Sequence, residues 1–535
     1  MRRIAGAMPV ALLWGLPFCL ALLSVLHGVM DADAWHALFR HSQLWPALGL
    51  SLWVGSAATL LALAVALLIS ASLYRCQAWQ RLQAWIGAAL ALPHLAFAIG
   101  FGFLIMPSGL VARLFVGGAT PPQWVTTQDP YGLSLIAALT LKEVPFLLAM
   151  IWSLLARADV ANALHGQWRA ARSLGHAPGS IWLRVIQPQL LRRLIWPLVI
   201  VWVYGATVVD MALVLGPTQP PLLSVVIWRD LNDANTAINA RGLAGAAFLS
   251  AILTMGGLVA AGLIRGVSPA LRPGLSTGPS RLHAPWISGR VVLSAIVTTY
   301  VVVMALLITM SASARWPYPA LWPAQFRLTA AQQLVAEPAP LFLSLGLGLA
   351  TSIMALVLSV LWFETQPPKH DRVLLPFAVA ALGLPQLVIA AGQYRLFLGS
   401  GLAGSVLGLF LAHLTPVFGY AVIVLSGPYR AFDRRYVAAA RSLGAGASRR
   451  WWRIVAPMLR APLLTTVAIG FSVSMVQFVP AQLIAAGRHA TLPMEAVTLA
   501  SGGSRALLAT YALALALPPL FAFVLASRWG RPRWS

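Results

Sequence analysis

The chain has 535 residues, of which 59% are apolar and only 9% are charged. Soluble domains carry about 25% charged residues, so this composition excludes a water-soluble enzyme or binding domain and requires lipid as solvent. The net charge of +24 does not indicate nucleic-acid binding, because the basic residues lie in short segments between long apolar runs, where they set membrane topology. Two cysteines are too few for a disulfide framework.

Apolar runs of about 20 residues, enough to cross a bilayer, recur along the whole chain. We predict twelve transmembrane helices, because backbone groups in lipid must find hydrogen bonds within their own segment. The first run is predicted to be a membrane helix rather than a signal peptide, since no small-residue cleavage site closely follows it. The predicted spans are 8–28, 46–72, 82–106, 131–156, 193–215, 241–264, 291–311, 339–363, 373–398, 402–426, 462–486 and 505–527.

Lys and Arg are distributed unevenly between the two sides of these spans. If the N-terminus is cytoplasmic and the spans alternate, the cytoplasmic segments hold about three times as many basic residues as the outer segments. The sequence therefore predicts a multi-pass protein with both termini in the cytoplasm.

The second half of the chain repeats features of the first. Pro93 in the third span matches Pro385 in the ninth, and Pro145 in the fourth matches Pro416 in the tenth. We expect these prolines to kink their helices.

This order predicts an all-α membrane protein built from two parallel repeats of six helices each. The repeats are residues 1–265 and 291–535, and the Pro-, Gly- and Ser-rich stretch at 266–290 is predicted to be a linker.

Two basic loops carry the same motif at equivalent places in the repeats. The first reads Arg-Ala-Ala-Arg-Ser-Leu-Gly and ends at Gly175, and the second reads Ala-Ala-Ala-Arg-Ser-Leu-Gly and ends at Gly444. We predict amphipathic helices at 160–174 and 434–443, each ended by its glycine at positive φ. Pro188 and Pro457 follow at the same distance and are expected to start the next helix.

These loops resemble the EAA loop of ABC importer permeases, whose pattern is E-A-A-x-x-x-G-x9-I-x-L-P. The matching positions are Ala170, Ala171, Gly175, Val185 and Pro188 in the first copy and Ala439, Ala440, Gly444, Ile454 and Pro457 in the second. Arg169 and Ala438 replace the family's glutamate, and Gln187 and Ala456 replace its leucine. Two copies at one spacing make the resemblance specific.

The resemblance implies a type I ABC importer fold and a fused permease of the bacterial inner membrane, most like those for thiamine and ferric iron. It implies a non-catalytic subunit that carries a small solute delivered by a periplasmic binding protein. It also implies a separate ABC ATPase, in two copies, bound at the two loops. The substrate stays open.

The chain is not expected to hydrolyse ATP or to hold a cofactor itself. It has two lysines, Lys142 and Lys369, and neither stands in the glycine-rich, Ser/Thr-flanked setting of a phosphate-binding loop. The histidines are too scattered to predict a metal site. ATP is expected to be used by the partner subunit.

Five polar residues fall inside or beside predicted spans, where such side chains usually face a cavity or a partner. They are Lys142, Glu143, Asp210, His413 and Gln477. They either line the translocation pathway or pair structurally, and we favour a structural ion pair between Lys142 and Asp210.

Two other functions are weighed against a permease. An ion-coupled secondary transporter with two six-helix halves would have only Glu143 and Asp210 as membrane carboxylates. A membrane-embedded enzyme such as a lipid transferase would need clustered His, Asp or Glu at a membrane face, and no such cluster is evident in the sequence.

Overall fold

The computed structural model describes residues 2–74, 77–116, 118–267 and 288–530. Within these ranges the chain is nearly all helical, as predicted, and its one sheet is an antiparallel pair, β1 (Ser313–Arg315) and β2 (Gln325–Phe326). Most of the predicted linker, residues 268–287, lies outside the described residues.

The helices of the first half include several short pieces of broken spans. They are α1 (Arg2–Val10), α2 (Leu16–Val29), α3 (Ala32–Phe39), α4 (Leu44–Leu73), α5 (Gln77–Ala91), α6 (His94–Ile105), α7 (Leu110–Phe115), α8 (Leu133–Ala156), α9 (Ala158–Ser173), α10 (Pro178–Ile181), α11 (Gln187–Arg193), α12 (Ile195–Thr207), α13 (Asp210–Leu215), α14 (Leu223–Leu231) and α15 (Thr236–Val267).

The second half of the chain is built from a similar series of long and short helices. Its helices are α16 (Gly289–Ser311), α17 (Thr329–Ala336), α18 (Ala339–Thr365), α19 (Asp371–Gly383), α20 (Gln386–Gly399), α21 (Val406–Ala431), α22 (Arg435–Ser442), α23 (Ala447–Arg450), α24 (Ala456–Met458), α25 (Arg460–Met475), α26 (Val479–Ala485), α27 (Leu492–Ala500) and α28 (Arg505–Gly530). Five-residue π-helical turns lie at Ala11–Gly15, Trp182–Ile186 and Trp451–Val455, and a 3₁₀ turn lies at Pro368–His370.

Nine helical segments in the described part of the chain are long and apolar enough to cross a membrane. Three bent helix pairs also qualify when each is joined, which brings the number to the predicted twelve. The bent pairs are Pro178–Arg193 with Ile195–Thr207, Pro368–Gly383 with Gln386–Gly399, and Ala447–Met458 with Arg460–Met475.

The predicted third and ninth spans are not single helices. Each is broken at its Leu-Pro pair, and the second-half pieces α19 and α20 meet at 101°. Pro93 and Pro385 take extended backbone angles, with ψ of 144° and 131°, and proline cannot donate the next helical hydrogen bond. These two prolines therefore break their helices, whereas Pro145 and Pro416 lie inside the continuous helices α8 and α21.

The predicted fifth and eleventh spans are also divided. Residues 193–215 form α12 and α13, which are separated at Val208, and residues 462–486 form α25 and α26. The helical pieces that precede α12 and α25 bend away at 63° and 79°. Hydropathy therefore predicted where these two spans lie, but it did not predict where their helices break.

The first helix of each repeat packs against the other half. Helix α2 packs on α20, and α16 packs on α4 and α6. Glycines permit both close approaches, since a Cβ at Gly392 would collide with the Ala21 carbonyl oxygen and a Cβ at Gly100 would lie 2.7 Å from Val303 Cγ1. The packing thus interlocks the two halves through small residues, as membrane helices commonly do.

A third small-residue contact, within the first half, joins α4 to α12. A Cβ at Gly55 would lie 2.9 Å from the Ala206 backbone nitrogen and 3.0 Å from the Trp202 carbonyl oxygen. We expect Gly55→Leu to destabilise the protein by about 1–3 kcal/mol, because backbone atoms cannot move aside as a flexible side chain can. Thermal melting of the purified protein measures this.

Gly49→Leu is the matched control for this prediction. Gly49 lies on the same helix, and a Cβ there meets nothing within 4 Å. Equal melting temperatures for the two variants would contradict the proposed packing constraint.

Candidate functional site

The two motif loops form short helices, α9 and α22, close to the predicted 160–174 and 434–443. Both helices end in the same arrangement. Gly175 and Gly444 take positive φ, at 82° and 76°, which confirms that part of the prediction. Left-handed backbone at this point suits glycine, which has no Cβ to clash.

The hydrogen bonds that close the two helices are also the same. In α9, the Gly175 N–H donates to the Arg172 carbonyl at 3.0 Å and the next N–H donates to the Ala171 carbonyl at 3.1 Å. In α22, the Gly444 N–H donates to the Arg441 carbonyl and the next N–H donates to the Ala440 carbonyl, both at 3.0 Å. These pairs define Schellman caps, so the repeated sequence produces a repeated local structure.

The motif side chains divide into packed and exposed sets. Ala171 is 3% exposed and packs with Trp168, Ile181 and Val185. The other motif positions on these helices, Arg169, Ala170, Ala438 and Ala439, are exposed, and Ala440 is half-buried.

A leucine precedes each glycine and points away from the protein. Leu174 is 64% exposed and Leu443 is 86% exposed. The sequence analysis missed these two residues, although the repeated Arg-Ser-Leu-Gly was the signal that could have found them.

The prediction that Pro188 and Pro457 stand at the start of a helix is confirmed in position, since each is the second residue of α11 or α24, but these helices continue earlier helical turns. Both lie inside helical segments that begin earlier, at Pro178 and Ala447. A π-helical turn ends two residues before each proline. In the first copy the Gln187 N–H bonds to the Trp182 carbonyl, and in the second the Ala456 N–H bonds to the Trp451 carbonyl. Proline lacks the N–H that a continuous α-helix needs and clashes with the carbonyl four residues back, and the wider turn accommodates it. The chain instead bends after Arg193 and Met458.

The two loop helices are tied to the membrane spans by different chemistry. The α9 side chain Trp168 and the following Trp182 contact the Tyr74 ring at the end of α4, with centroids 5.9 Å and 5.6 Å away. Arg434, at the start of α22, pairs with Glu364 of α18 at 3.0 Å. Through these contacts, a movement of α9 would be transmitted to α4, and a movement of α22 would be transmitted to α18, the second span of each repeat.

At the opposite end of the spans, one hydrogen bond occurs in both halves. The Leu223 N–H, which begins α14, donates to Ser51 Oγ at 2.8 Å. The Leu492 N–H, which begins α27, donates to Ser344 Oγ at 2.9 Å. Both serines are buried on long spans, α4 and α18. The short helices α14 and α27 are thus held in equivalent positions in the two halves.

The structure contradicts the predicted ion pair between Lys142 and Asp210. Lys142 Nζ donates to the carbonyls of Ala89 at 2.9 Å and Leu92 at 2.6 Å, at the end of α5. The Leu92-Pro93 break leaves such carbonyls without helical donors. Lys142 is therefore a cap for a broken helix, and its ammonium carries a charge that suits a helix C-terminus.

Glu143 follows Lys142 in the sequence, but its side chain contacts a different residue, His94. Its Oε1 is 3.3 Å from His94 Nε2, and the His94 ring contacts Tyr204 with centroids 4.9 Å apart. Asp210 and Tyr420 also lie within electrostatic range of Tyr204. These residues form one polar cluster. The sequence analysis named Glu143 and Asp210 as candidates, but it did not name His94, Tyr204 and Tyr420.

His413 and Gln477, the other two polar candidates, lie elsewhere. Each is only 2% exposed, and His413 Nδ1 is 2.9 Å from Ser474 Oγ. Both side chains are therefore buried, and His413 is bonded within the second half.

Comparison with known proteins locates a family signature in the second half. The profile described as "Binding-protein-dependent transport system inner membrane component" matches residues 355–529. This range includes α22 and the second motif loop.

Relatives extend the likeness over the chain. The inner membrane ABC transporter permease protein YnjC of Escherichia coli (strain K12) is 29% identical over 523 residues, which is 96% of this chain and 95% of that protein. The molybdenum transport system permease protein ModB of Mycobacterium tuberculosis is 30% identical over 30% of this chain and 60% of its own length. The spermidine/putrescine transport system permease protein PotC of Haemophilus influenzae is 25% identical over 22% of this chain and 46% of its own length.

The family profile contains the second copy of the repeated loop, and the likeness to YnjC spans both halves. Residues 355–529 therefore match the inner-membrane component of binding-protein-dependent transport systems, and the chain, with its many apolar helices, is similar over both halves to an inner-membrane ABC transporter permease.

Proposed function

We propose that the chain is the fused permease subunit of an importer. It forms the pathway for a small solute that an external binding protein delivers, and a separate ATPase drives it through α9 and α22. One observation carries the proposal, namely the two identically capped helices that each present an exposed leucine beside a left-handed glycine. This geometry suits insertion into a groove on a partner.

The same proposal sets the orientation and the domain organisation. Helices α9 and α22 and both termini lie in the cytoplasm, in agreement with the distribution of basic residues. Residues 1–265 and 291–535 are the two repeats, joined by 266–290. The paired contacts of Ser51 with Leu223 and of Ser344 with Leu492 support this division.

The ATP requirement gives a direct test. We expect the purified chain to hydrolyse no ATP, because neither of its lysines stands in a phosphate-binding loop. Adding the cognate ATPase subunit, in two copies for two loop helices, should restore hydrolysis. The measurement is phosphate release from the chain, the ATPase and the mixture.

Two results would contradict this prediction. Hydrolysis by the chain alone, free of contaminating ATPase, would place the phosphate chemistry in this subunit. Failure of the ATPase to co-purify with the wild-type chain would remove the proposed role of α9 and α22.

An ion-coupled secondary transporter is the alternative function. The observation in its favour is that Glu143 and Asp210 lie in one membrane cluster, where carboxylates can couple transport to ion movement. Solute uptake by vesicles that hold the chain without an ATPase, driven by an ion gradient, would support this alternative.

A further inference from the structure

The polar cluster around Tyr204 draws side chains from both halves of the chain. His94, Glu143, Tyr204 and Asp210 come from α6, α8, α12 and α13, whereas Tyr420 comes from α21 of the second half. Tyr204 lies within electrostatic range of both carboxylates and of Tyr420. The cluster therefore lies where the two halves face each other.

The exposure of these side chains indicates a cavity. Tyr420 is 38% exposed although it lies in the middle of a spanning helix. It lies within electrostatic range of Glu143 and Tyr204 of the other half, which places the open space beside it between the halves rather than in lipid. The His94 side chain is 33% exposed beside the nearly buried Glu143, which extends this space along the first half.

The charge in this space is mainly negative. Glu143 and Asp210 supply two carboxylates, and His94 is the one ionisable base of the cluster. The neighbouring Lys142 offsets only part of this charge, since it is a single cation within electrostatic range of Glu143, and its ammonium is buried and bonded to carbonyls at the end of α5. The negative charges attract cations and repel oxyanions.

The other groups of the cluster favour an organic cation over a metal ion. The faces of Tyr204 and Tyr420 can contact a desolvated ammonium through cation–π attraction. In the described ranges, no three His, Cys, Asp or Glu side chains converge in a way that could hold a metal ion.

We propose that this cluster is a cation-recognising constriction of the pathway, and that the transported solute is an organic cation rather than an oxyanion. This proposal rests on the proposed permease function and specifies its substrate class. Among the similar proteins, the name of PotC refers to spermidine and putrescine and that of ModB to molybdenum, so the likeness alone does not decide the charge class of the solute.

Thiol labelling tests the charge of the cavity without a known substrate. In a full-length chain with Cys19→Ser and Cys76→Ser, Tyr420→Cys is exposed to a cationic trimethylammonioethyl and an anionic sulfonatoethyl methanethiosulfonate. The cationic reagent should react faster, relative to the same ratio at an exposed control site, Val335→Cys on α17. Each carboxylate should contribute about a tenfold preference for the cationic reagent.

Neutralising the carboxylates gives the matched comparison. Glu143→Gln and Asp210→Asn should each reduce the cationic preference at Tyr420→Cys, and the pair should abolish it. Glu337→Gln, an exposed acid outside the spans, should leave it unchanged. Co-purification of the ATPase with every variant shows that the fold is retained.

Two outcomes would overturn the proposal. Equal or faster labelling of Tyr420→Cys by the anionic reagent would remove the cation assignment. No labelling by either reagent in the folded protein would remove the cavity. Neither outcome touches the proposed permease function, which fails separately if the wild-type chain does not bind an ATPase.

Discussion

Gly444→Asp is expected to abolish ATPase coupling while the protein remains folded in the membrane. Gly444 has φ of 76°, and a Cβ there would meet nothing within 4 Å. Space for a side chain is therefore available, and an L-residue in this region costs only about 1–2 kcal/mol. The expected loss of coupling comes from the new carboxylate, which would lie beside the exposed Leu443 on the surface proposed to enter the partner's groove. Docking would remove water from this unpaired charge, and that desolvation is unfavourable.

Gly444→Asn separates the charge from the backbone strain. Asparagine has the same shape as aspartate and tolerates left-handed backbone, so this variant should keep most of the coupling. The measurement is co-purification of the ATPase with tagged permease, followed by ATP hydrolysis of the complex. We expect at least a tenfold loss for the Asp variant on the basis of the buried-charge penalty.

Gly175→Asp and Gly175→Asn test the first copy of the loop in the same way. Because the two caps share their hydrogen bonds, we expect the same order of effects. Full ATPase binding and hydrolysis by both Asp variants would refute the assignment of α9 and α22 as docking helices.

The positions of most spans could be predicted because hydropathy is summed over a whole membrane thickness. The predicted spans 131–156 and 505–527 correspond to Leu133–Ala156 and Arg505–Gly530. The caps of α9 and α22 could also be predicted, since a repeated glycine after an amphipathic helix is a local signal. Composition and short motifs carry this information without any long-range contact.

The breaks within spans were harder to predict. Pro93 and Pro145 both follow apolar residues in predicted spans, yet only Pro93 ends its helix. The difference depends on what replaces the lost helical hydrogen bond, and that partner lies far away in sequence. For α5 the partner is Lys142, whose Nζ reaches the Ala89 carbonyl, the group that the missing Pro93 N–H would have bonded in a continuous helix.

The cluster around Tyr204 was partly missed for a related reason. Glu143 and Asp210 were recognised as membrane carboxylates, but hydropathy does not reveal which faces of different helices meet. Tyr204 and Tyr420 carry no signal in the sequence, and only the folded chain brings them within electrostatic range of each other.

Lys142→Ala is expected to lower the stability of the protein strongly, through loss of a helix cap rather than of an ion pair. Truncation leaves the Ala89 and Leu92 carbonyls without their donor, at about 1–3 kcal/mol for each buried group. It also leaves a space between the Phe97 and Tyr300 rings, which lie 5.9 Å and 5.6 Å from Nζ. A total of about 3–5 kcal/mol is in the range of large-to-small substitutions at buried sites.

Lys142→Met isolates the polar part of this effect. Methionine fills similar space and adapts to irregular gaps, so the variant should recover the packing contribution and retain the cost of the unbonded carbonyls. Its melting temperature should therefore lie between those of the wild type and Lys142→Ala.

A double-mutant cycle with Asp210→Ala then decides between a cap and an ion pair. If Lys142 caps α5, the two substitutions act on separate groups, and their effects should add to within about 0.5 kcal/mol. An ion pair would instead let the double variant recover part of the loss, because no unpaired buried charge would remain. Arg241 and Asp230, which form two hydrogen bonds of 2.8 Å, provide the positive control, and the same cycle on them should show coupling. Coupling of similar size between Lys142 and Asp210 would refute the cap, whereas additive effects would support it.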